Sequence, residues 1–221
     1  MLNICLVGYG KWGKLLYKKL TKITKVKKIL NSKNYSLKEL DSVDWIVIAT
    51  PNNTHYKIIK DCLKKKKNIF CEKPLVLKYS QAVELYRLAE KKNNLFQHFK
   101  NTKEDMKIKT KRYDLLYRLA YHDIAYIYKS IYQKKINLIK IISSKPFLKF
   151  LIKFGNQDFT FHYDTKKNEK IYLFNRNNLH QKKDIIIKMF IDYFYNEKSY
   201  KLNKKKSLYV IKLLEKIKHE I

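Results

Sequence analysis

Three of the four glycines in this 221-residue chain lie within six positions, in the segment VGYGKWG at residues 7–13. The apolar run LNICLV, residues 2–7, leads into this segment, and the run KLLYKKLTKI, which has its leucines on one helical face, follows it. The order strand, G-x-G-x-x-G turn and helix is the phosphate-binding unit of dinucleotide-binding folds. We therefore predict that the chain opens with the first βα unit of a parallel sheet.

Each glycine of this turn has its own physical purpose. Gly8 permits the tight turn, Gly10 lets the backbone approach a pyrophosphate, and Gly13 lets the helix pack closely on the sheet. The phosphates then lie at the helix N-terminus, where unpaired amides and the helix dipole favour negative charge. The context predicts a dinucleotide site here rather than a purely structural turn.

The chain as a whole shows two patterns. Up to about residue 102, strand-like runs such as KVKKIL, WIVIAT, NIFC and LFQHF alternate with helical runs, one of which we expect to begin at Ser80. This alternation predicts an α/β domain with a parallel sheet over residues 1–102. Beyond it, a long helix, four strand-like runs and two closing helices predict a reduced α+β domain over residues 103–221, with an open and mainly antiparallel sheet.

The acidic residue that usually holds the adenosine ribose is missing from the sequence. It is expected about 20 residues after the glycine turn, where the chain reads Asn31, Ser32 and Lys33. A 2′-phosphate would find a hydroxyl and a cation at Ser32 and Lys33, which favours NADP slightly over NAD. The alternative is that Lys33 is one surface lysine among many.

The net charge of +31 is typical of proteins that bind nucleic acid. However, the lysines are scattered over the whole length together with Ile, Asn and Tyr. This distribution indicates a composition bias at every surface position rather than one basic patch, so we do not expect nucleic acid as the partner. The same positive field would attract an anionic small molecule such as a nucleotide sugar.

The cysteines and the apolar runs bear on the cellular compartment. Cys5, Cys62 and Cys71 form no CxxC pair and are expected to be buried free thiols rather than metal ligands or disulfides. No apolar run is long enough to cross a membrane, and the N-terminus lacks a secretory signal pattern. We expect a cytoplasmic protein with no membrane partner and no metal.

Two further segments lie at the carboxyl ends of predicted strands, and both ends fall at one edge of the sheet. These segments are ATPNNTHY at residues 49–56 and CEKPL at residues 71–75. Together with GYGKWG, in this order and spacing, they resemble the glucose-fructose oxidoreductase, inositol dehydrogenase and rhizopine-catabolism family (Gfo/Idh/MocA). The resemblance covers residues 1–100 closely, and the two closing helical runs match more weakly. It implies a Rossmann domain that binds NAD or NADP.

The resemblance also implies how the cofactor and the substrate are held. The lysine of EKP in that family lies between the nicotinamide and the substrate carbinol, which implies that Lys73 exchanges the hydroxyl proton during hydride transfer. His55 either contacts the cofactor or only starts a helix. With Ser32 from the second strand, the residues expected to face the cofactor are Gly8, Tyr9, Gly10, Lys11, Trp12, Gly13, Ser32, Thr50, Pro51, Asn52, Asn53, His55, Glu72 and Lys73.

A second family signature, an Asp and a His one helical turn apart, is only partly present in RLAYHDIAYIY. The resemblance makes His122 an assisting acid or base, but Arg118 stands where the aspartate is expected, and Ala120 and Ala125 replace a glycine and a second acid. We expect Arg118 to bind an anionic substrate beside Lys73 and His122. The alternative for His122 is a structural helix histidine.

These features predict an NAD(P)-dependent oxidoreductase that transfers a hydride between nicotinamide and a sugar, nucleotide sugar or cyclic polyol. Only about twenty residues, from Lys100 to Leu119, separate the last parallel strand from the signature helix, so the substrate half is pared down. A catalytically degenerate NAD(P)-binding sensor or partner protein is the alternative. The exposed face of the second sheet predicts a homodimer.

Overall fold

The computed structural model describes residues 1–90, 94–97, 116–132, 134–144, 147–164, 169–174, 177–178, 186–195 and 198–220. The chain forms two compact units. The first contains Met1–His98 together with Ile186–Ile211, and the second contains Phe99–Ile185 together with Lys212–Ile221. The predicted boundary at residue 102 lies outside the described residues.

The first unit is built on a five-stranded sheet with the strand order β2-β1-β3-β4-β5, in which all neighbours are parallel. The alternation of apolar and helical runs therefore correctly predicted a parallel sheet. The elements of this unit are β1 (Asn3–Val7), α1 (Lys11–Leu20), β2 (Lys25–Leu30), a 3-10 turn (Leu37–Leu40), β3 (Trp45–Ile48), α2 (Asn52–Lys64), β4 (Asn68–Cys71), α3 (Tyr79–Ala89), β5 (Leu95–Gln97), α5 (Ile186–Tyr195) and the first part of α6 (Lys198–His219).

The central strands of this sheet are apolar on both faces because helices cover both. All four residues of β3 are buried, as are three of the four residues of β4, which is the pattern of a parallel sheet between helical layers. The three cysteines are buried free thiols, as predicted. The start of α3 differs by one residue from the prediction, since the helix begins at Tyr79 after Lys78 and Ser80 does not cap it.

The C-terminal helix α5 packs on the sheet of the first unit, whereas the sequence prediction assigned both closing helices to the second domain. The ring centroid of Phe194 lies 4.7 Å from that of Trp45 in β3, and the centroid of Phe190 lies 4.7 Å from that of Phe70 in β4. The reason is the large aromatic side chains on this face of β3 to β5, which need an apolar cover that the ten-residue α1 does not supply.

Helix α6 closes the edge of the same sheet at β5. The side-chain oxygen of Asn203 accepts a hydrogen bond from the Gln97 amide, its side-chain nitrogen donates to the Gln97 carbonyl, both at 3.0 Å, and Ser207 contacts the Gln97 side chain. Asn203 is 3% exposed. Its amide therefore takes the place of a neighbouring strand on the open edge.

The second unit contains an antiparallel sheet with the order β10-β9-β8-β7-β6. Four of its strands match the predicted runs, and the two-residue β10 was not predicted. Its elements are a π-helical turn (Leu116–Ala120), α4 (Tyr121–Ile131), β6 (Ile136–Ser144), β7 (Phe147–Phe154), β8 (Gln157–Asp164), β9 (Glu169–Phe174) and β10 (Asn177–Asn178). Among the described residues, no helix is both long enough and apolar enough to span a membrane.

Candidate cofactor-binding site

The strand register brings three predicted segments to one edge of the first sheet. Val7 of β1 pairs with Ile48 of β3, and Ile48 pairs with Cys71 of β4. The glycine turn, the loop after β3 and the segment after β4 therefore begin side by side. The edge also contains the point where the strand order reverses, because β2 lies on one side of β1 and β3 lies on the other. In open α/β sheets the ligand crevice lies at this point.

Two glycines of the turn are required by the backbone itself. Gly8 has a φ angle of +101°, and a Cβ atom there would lie 2.5 Å from the Ala49 carbonyl oxygen. A Cβ atom at Gly13 would lie 2.1 Å from the Gly8 carbonyl oxygen. The turn after β1, the loop after β3 and the start of α1 are thus packed backbone against backbone.

Gly10 differs from its two neighbours, since a Cβ atom at this position would meet nothing within 4 Å. The packing of the protein does not require a glycine here. Gly10 is also the residue that precedes α1, and it is exposed. An absent side chain over open space at a helix N-terminus is the arrangement that lets a phosphate group approach the backbone.

The first turn of α1 has the charge and capping pattern of an anion site. No side chain caps the helix, and the first turn contains no acidic residue. The first amides of a helix have no partner within the helix and the dipole places partial positive charge there. Lys11 is exposed at the same end. These residues fit the pyrophosphate of a dinucleotide.

The two aromatic side chains of the turn pack on the first unit. The ring of Tyr9 makes an edge-to-face contact with Tyr17, at 5.8 Å between centroids, and Lys14 lies over it at 5.9 Å. Trp12 is partly buried and packs against the apolar cluster of the sheet. Tyr9 is 36% exposed, so part of its ring remains at the surface beside the turn.

The loop after β3 is held by its own hydrogen bonds. The Thr54 hydroxyl lies 2.8 Å from the Thr50 hydroxyl and donates to the Pro51 carbonyl at 2.7 Å. The exposed residues Asn52 and Asn53 begin α2, a second helix with no side-chain cap and no acid in its first turn. This loop therefore presents polar side chains and a helix N-terminus without a side-chain cap at the same edge as the glycine turn.

His55 is fully buried between two main-chain carbonyls. Its Nδ1 lies 2.9 Å from the Pro74 carbonyl oxygen, and its Nε2 lies 2.9 Å from the Thr50 carbonyl oxygen. Both ring nitrogens thus face oxygen atoms of the protein. The predicted contact between His55 and the cofactor stays a prediction, and the geometry favours a different role.

The segment after β4 carries the predicted proton-transfer residue. The Glu72 amide donates to the Ile48 carbonyl at 2.9 Å, which continues the alignment of β3 and β4 past the end of the strands. Glu72 is 6% exposed, whereas Lys73 is half-buried. The Lys73–Pro74 peptide bond is cis. Lys73 is therefore neither deep in the core nor a fully solvated surface residue.

The loop after β2 contains no carboxylate. The Asn31 side chain accepts from the Lys33 amide at 2.8 Å, and the Asn34 side chain accepts from the Asn31 amide at 2.6 Å. Ser32 and Lys33 are exposed on this tight turn. The Leu30 carbonyl accepts from the Gly8 amide at 2.7 Å, so the loop adjoins the glycine turn.

The other two predicted site residues belong to the second unit. His122 lies on α4, is 2% exposed and has the Tyr121 ring next to it. Arg118 lies in the preceding π-helical turn, and its side chain is outside the described part. The structure brings together the three segments of the first unit, and the roles of His122 and Arg118 stay predictions.

Sequence reasoning missed the buried carboxylate next to His122. Asp123 is fully buried and accepts a hydrogen bond from the Tyr163 hydroxyl at 2.7 Å, which joins α4 to β8. The only signal was an acid on an apolar helical face. No three His, Cys, Asp or Glu side chains within the described ranges are grouped so as to hold a metal ion.

The comparison with known families rests on this first unit. Residues 19–99 match the model of the oxidoreductase family with an NAD-binding Rossmann fold. This match covers most of the first unit and is a match to the Gfo/Idh/MocA family model. The resemblance that the three motifs indicated is therefore confirmed, and so is the fold class, a Rossmann domain followed by a unit with an antiparallel sheet.

The similarity of the chain to individual proteins is partial in sequence and extensive in fold. An uncharacterised oxidoreductase of Schizosaccharomyces pombe, C115.03, is 38% identical over 64 residues, which are 29% of this chain and 17% of that protein. The chain thus spans about a sixth of the length of that relative.

Two solved structures match nearly the whole chain. UDP-N-acetylglucosamine 3-dehydrogenase GnnA from Acidithiobacillus ferrooxidans has a TM-score of 0.75 at 11% identity and covers 100% of this chain and 97% of its own. The WlbA dehydrogenase from Thermus thermophilus, in complex with NAD and UDP-GlcNAcA, has a TM-score of 0.74 at 12% identity, with coverage of 97% and 95%. At these identities the match shows the fold.

Proposed function

We propose that the protein is an NAD(P)-dependent oxidoreductase that transfers a hydride between the nicotinamide and a carbinol of a sugar, nucleotide sugar or cyclic polyol. The observation that carries this proposal is the edge at the strand reversal. There the uncapped N-terminus of α1 and the open space over Gly10 fit a pyrophosphate. The match of residues 19–99 to the model of an NAD-binding Rossmann family supports the same cofactor.

The residues of this edge divide between binding and chemistry. The amides after Gly10 would hold the paired phosphates, and the loop with Asn52 and Asn53 would flank the rest of the cofactor. A bound nicotinamide supplies a hydride acceptor or donor. In the oxidative direction the carbinol loses its C–H pair as hydride, and its hydroxyl proton passes to the Lys73 amine, so that a ketone and reduced cofactor result.

The substrate half of the proposal concerns the second unit. We assign His122 an assisting acid or base role and Arg118 the binding of an anionic substrate group. The WlbA structure, which is a complex with NAD and UDP-GlcNAcA, supports a nucleotide sugar among the substrate classes. The net charge of +31 would attract such an anion.

Two finer points accompany the main proposal. The exposed Ser32 and Lys33, in a loop without a carboxylate, favour NADP slightly over NAD. The antiparallel sheet suits a homodimer, because Ile142 of β6 is 59% exposed. Light scattering of the purified protein measures its oligomeric state, and a monomer at micromolar concentration would contradict the dimer.

The decisive experiment compares two lysines that are close in sequence. NAD⁺ and NADP⁺ are offered with a panel of sugars, polyols and nucleotide sugars, and reduction is followed by absorbance. Lys73→Met should abolish turnover, by about a thousandfold or more, because general acid–base catalysis contributes 10²–10⁴-fold, while the affinity for NADPH is retained. Lys78→Met, at an exposed position just before α3, should retain turnover.

The alternative function is an NAD(P)-binding sensor or partner protein without turnover. Arg118 favours it, because this residue stands where the family has an aspartate. NADPH binding in the absence of reduction by any member of the panel would support this alternative. Lack of binding to both NADH and NADPH would contradict both functions.

A further inference from the structure

We propose that His55 is a positioning residue that ties the loop after β3 to the Lys73–Pro74 segment after β4. This inference rests on the proposed function, because the two segments it joins are the ones assigned to the cofactor and to proton transfer. The ring is fully buried, and its two nitrogens lie 2.9 Å from the carbonyl oxygens of Thr50 and Pro74.

The position of the ring explains why such a tie is needed. The paired part of β3 and β4 ends at Ile48 and Cys71, and the Glu72 amide adds one more bond to the Ile48 carbonyl. Past this point the chain leaves both strands for loops. The His55 ring then connects Thr50 in one loop to Pro74 in the other.

The chemistry of the two partners defines what the ring has to supply. A main-chain carbonyl only accepts hydrogen bonds, so each contact requires a proton on the ring nitrogen. A ring with one proton donates to one carbonyl, and a ring with two protons donates to both. A side chain of equal size without donors would leave the buried Pro74 carbonyl and the partly buried Thr50 carbonyl without this partner. Such a loss is costly inside a protein.

The two carbonyls are next to the residues of the proposed function. The Pro74 carbonyl follows Lys73 by one residue, and the Thr50 carbonyl belongs to the peptide that leads to Pro51 and the exposed asparagines of α2. Holding both carbonyls fixes the spacing between the cofactor loop and the lysine. His55 therefore acts through the main chain and needs no contact with the cofactor.

The test uses the full chain and a pair of His55 variants. His55→Phe fills the volume without donors, whereas His55→Gln retains an amide that donates. NADPH affinity is measured by energy transfer from the two tryptophans, Trp12 in the turn and Trp45 in β3. His55→Phe should weaken NADPH binding about tenfold, from the loss of a buried hydrogen-bonded tie, and His55→Gln should weaken it less. His162→Phe, a half-buried histidine of β8, should bind as the wild type does.

The outcomes separate this inference from the proposed function. If the wild type does not bind NADPH or NADH, the proposed function is wrong. If the wild type binds and His55→Phe binds equally well, or better than His55→Gln, the ring only fills space and the inference is overturned.

A measurement on the wild type covers the case in which His55→Phe does not fold. In protein with ¹⁵N-labelled histidine, the His55 signal is assigned by its loss in His55→Gln. At least one of its ring N–H protons should exchange with solvent slowly enough to be observed. The absence of any protected ring proton on His55 would overturn the inference.

Discussion

The three glycines of the turn provide the sharpest test of the candidate cofactor site. Backbone packing requires a glycine at positions 8 and 13 but not at position 10. An alanine Cβ at residue 13 would lie 2.1 Å from the Gly8 carbonyl oxygen and 2.9 Å from the Gly8 carbonyl carbon. The first distance is about 1.4 Å shorter than an ordinary contact of about 3.5 Å. Both neighbours are backbone atoms, so no flexible side chain is available to move away.

Gly13→Ala should therefore destabilise the first unit. Overpacking costs about 1–3 kcal/mol, and the backbone contacts argue for the upper end, about 3 kcal/mol. For a protein of this size that corresponds to a melting temperature lower by about 6–12 °C. The decrease in melting temperature should be the same with and without cofactor. Circular dichroism during heating measures the melting temperature.

Gly10→Ala should have the opposite profile. A Cβ at this position meets nothing within 4 Å, and replacing glycine by alanine before a helix costs at most about 1 kcal/mol. Its melting temperature should therefore lie within about 4 °C of the wild type. The methyl group would occupy the space assigned to the pyrophosphate, so NADPH affinity should fall at least about tenfold.

The reasoning is refuted if Gly13→Ala does not mainly lower stability or Gly10→Ala does not mainly lower NADPH affinity. Gly10→Ala with unchanged NADPH affinity would show that the phosphates do not approach this turn. Gly13→Ala with wild-type stability would show that α1 does not pack on the turn as closely as described. The fluorescence titration is done well below both melting temperatures, so that a loss of fold is not mistaken for a loss of binding.

Further predictions concern the cofactor choice, the sheet edge and the buried thiols. Ser32→Asp supplies the missing ribose carboxylate and should shift the affinity ratio towards NAD over NADP about tenfold; Ser80→Asp, at an exposed position on α3, should leave the ratio unchanged, and an equal shift in both variants would contradict the assignment. Asn203→Ala removes both side-chain bonds to the β5 edge and should cost about 2–3 kcal/mol in urea unfolding; a loss below about 0.5 kcal/mol would contradict the role of this amide. Burial raises the pKa of the Cys5 and Cys62 thiols from 9.0 to about 12. Above about pH 9 the folded protein therefore keeps thiol protons that the unfolded chain releases. The contribution of these thiols to the free energy of unfolding is full below about pH 9 and is lost as the pH rises towards about 12. The urea midpoint should fall between about pH 8 and about pH 10, and it should fall less in Cys62→Ala; equal falls would exclude that thiol as a cause.

The sequence by itself determined the elements that depend on neighbouring residues. The β1 run, the glycine turn and α1 follow from a local apolar run, a backbone angle that only glycine adopts easily and a helical spacing of leucines. The parallel order of the sheet also follows, because helical connections between strands allow little else.

Only the tertiary structure decided the pairings between distant parts of the chain. The aromatic residues of α5 cover β3 and β4, Asn203 completes the edge of β5, and Tyr163 donates to Asp123. His55 reaches the Pro74 carbonyl in the same way. Local periodicity indicates which side chains face the core, but not which distant partner each of them contacts. The partner depends on how all buried surfaces and buried polar groups compete in the folded chain.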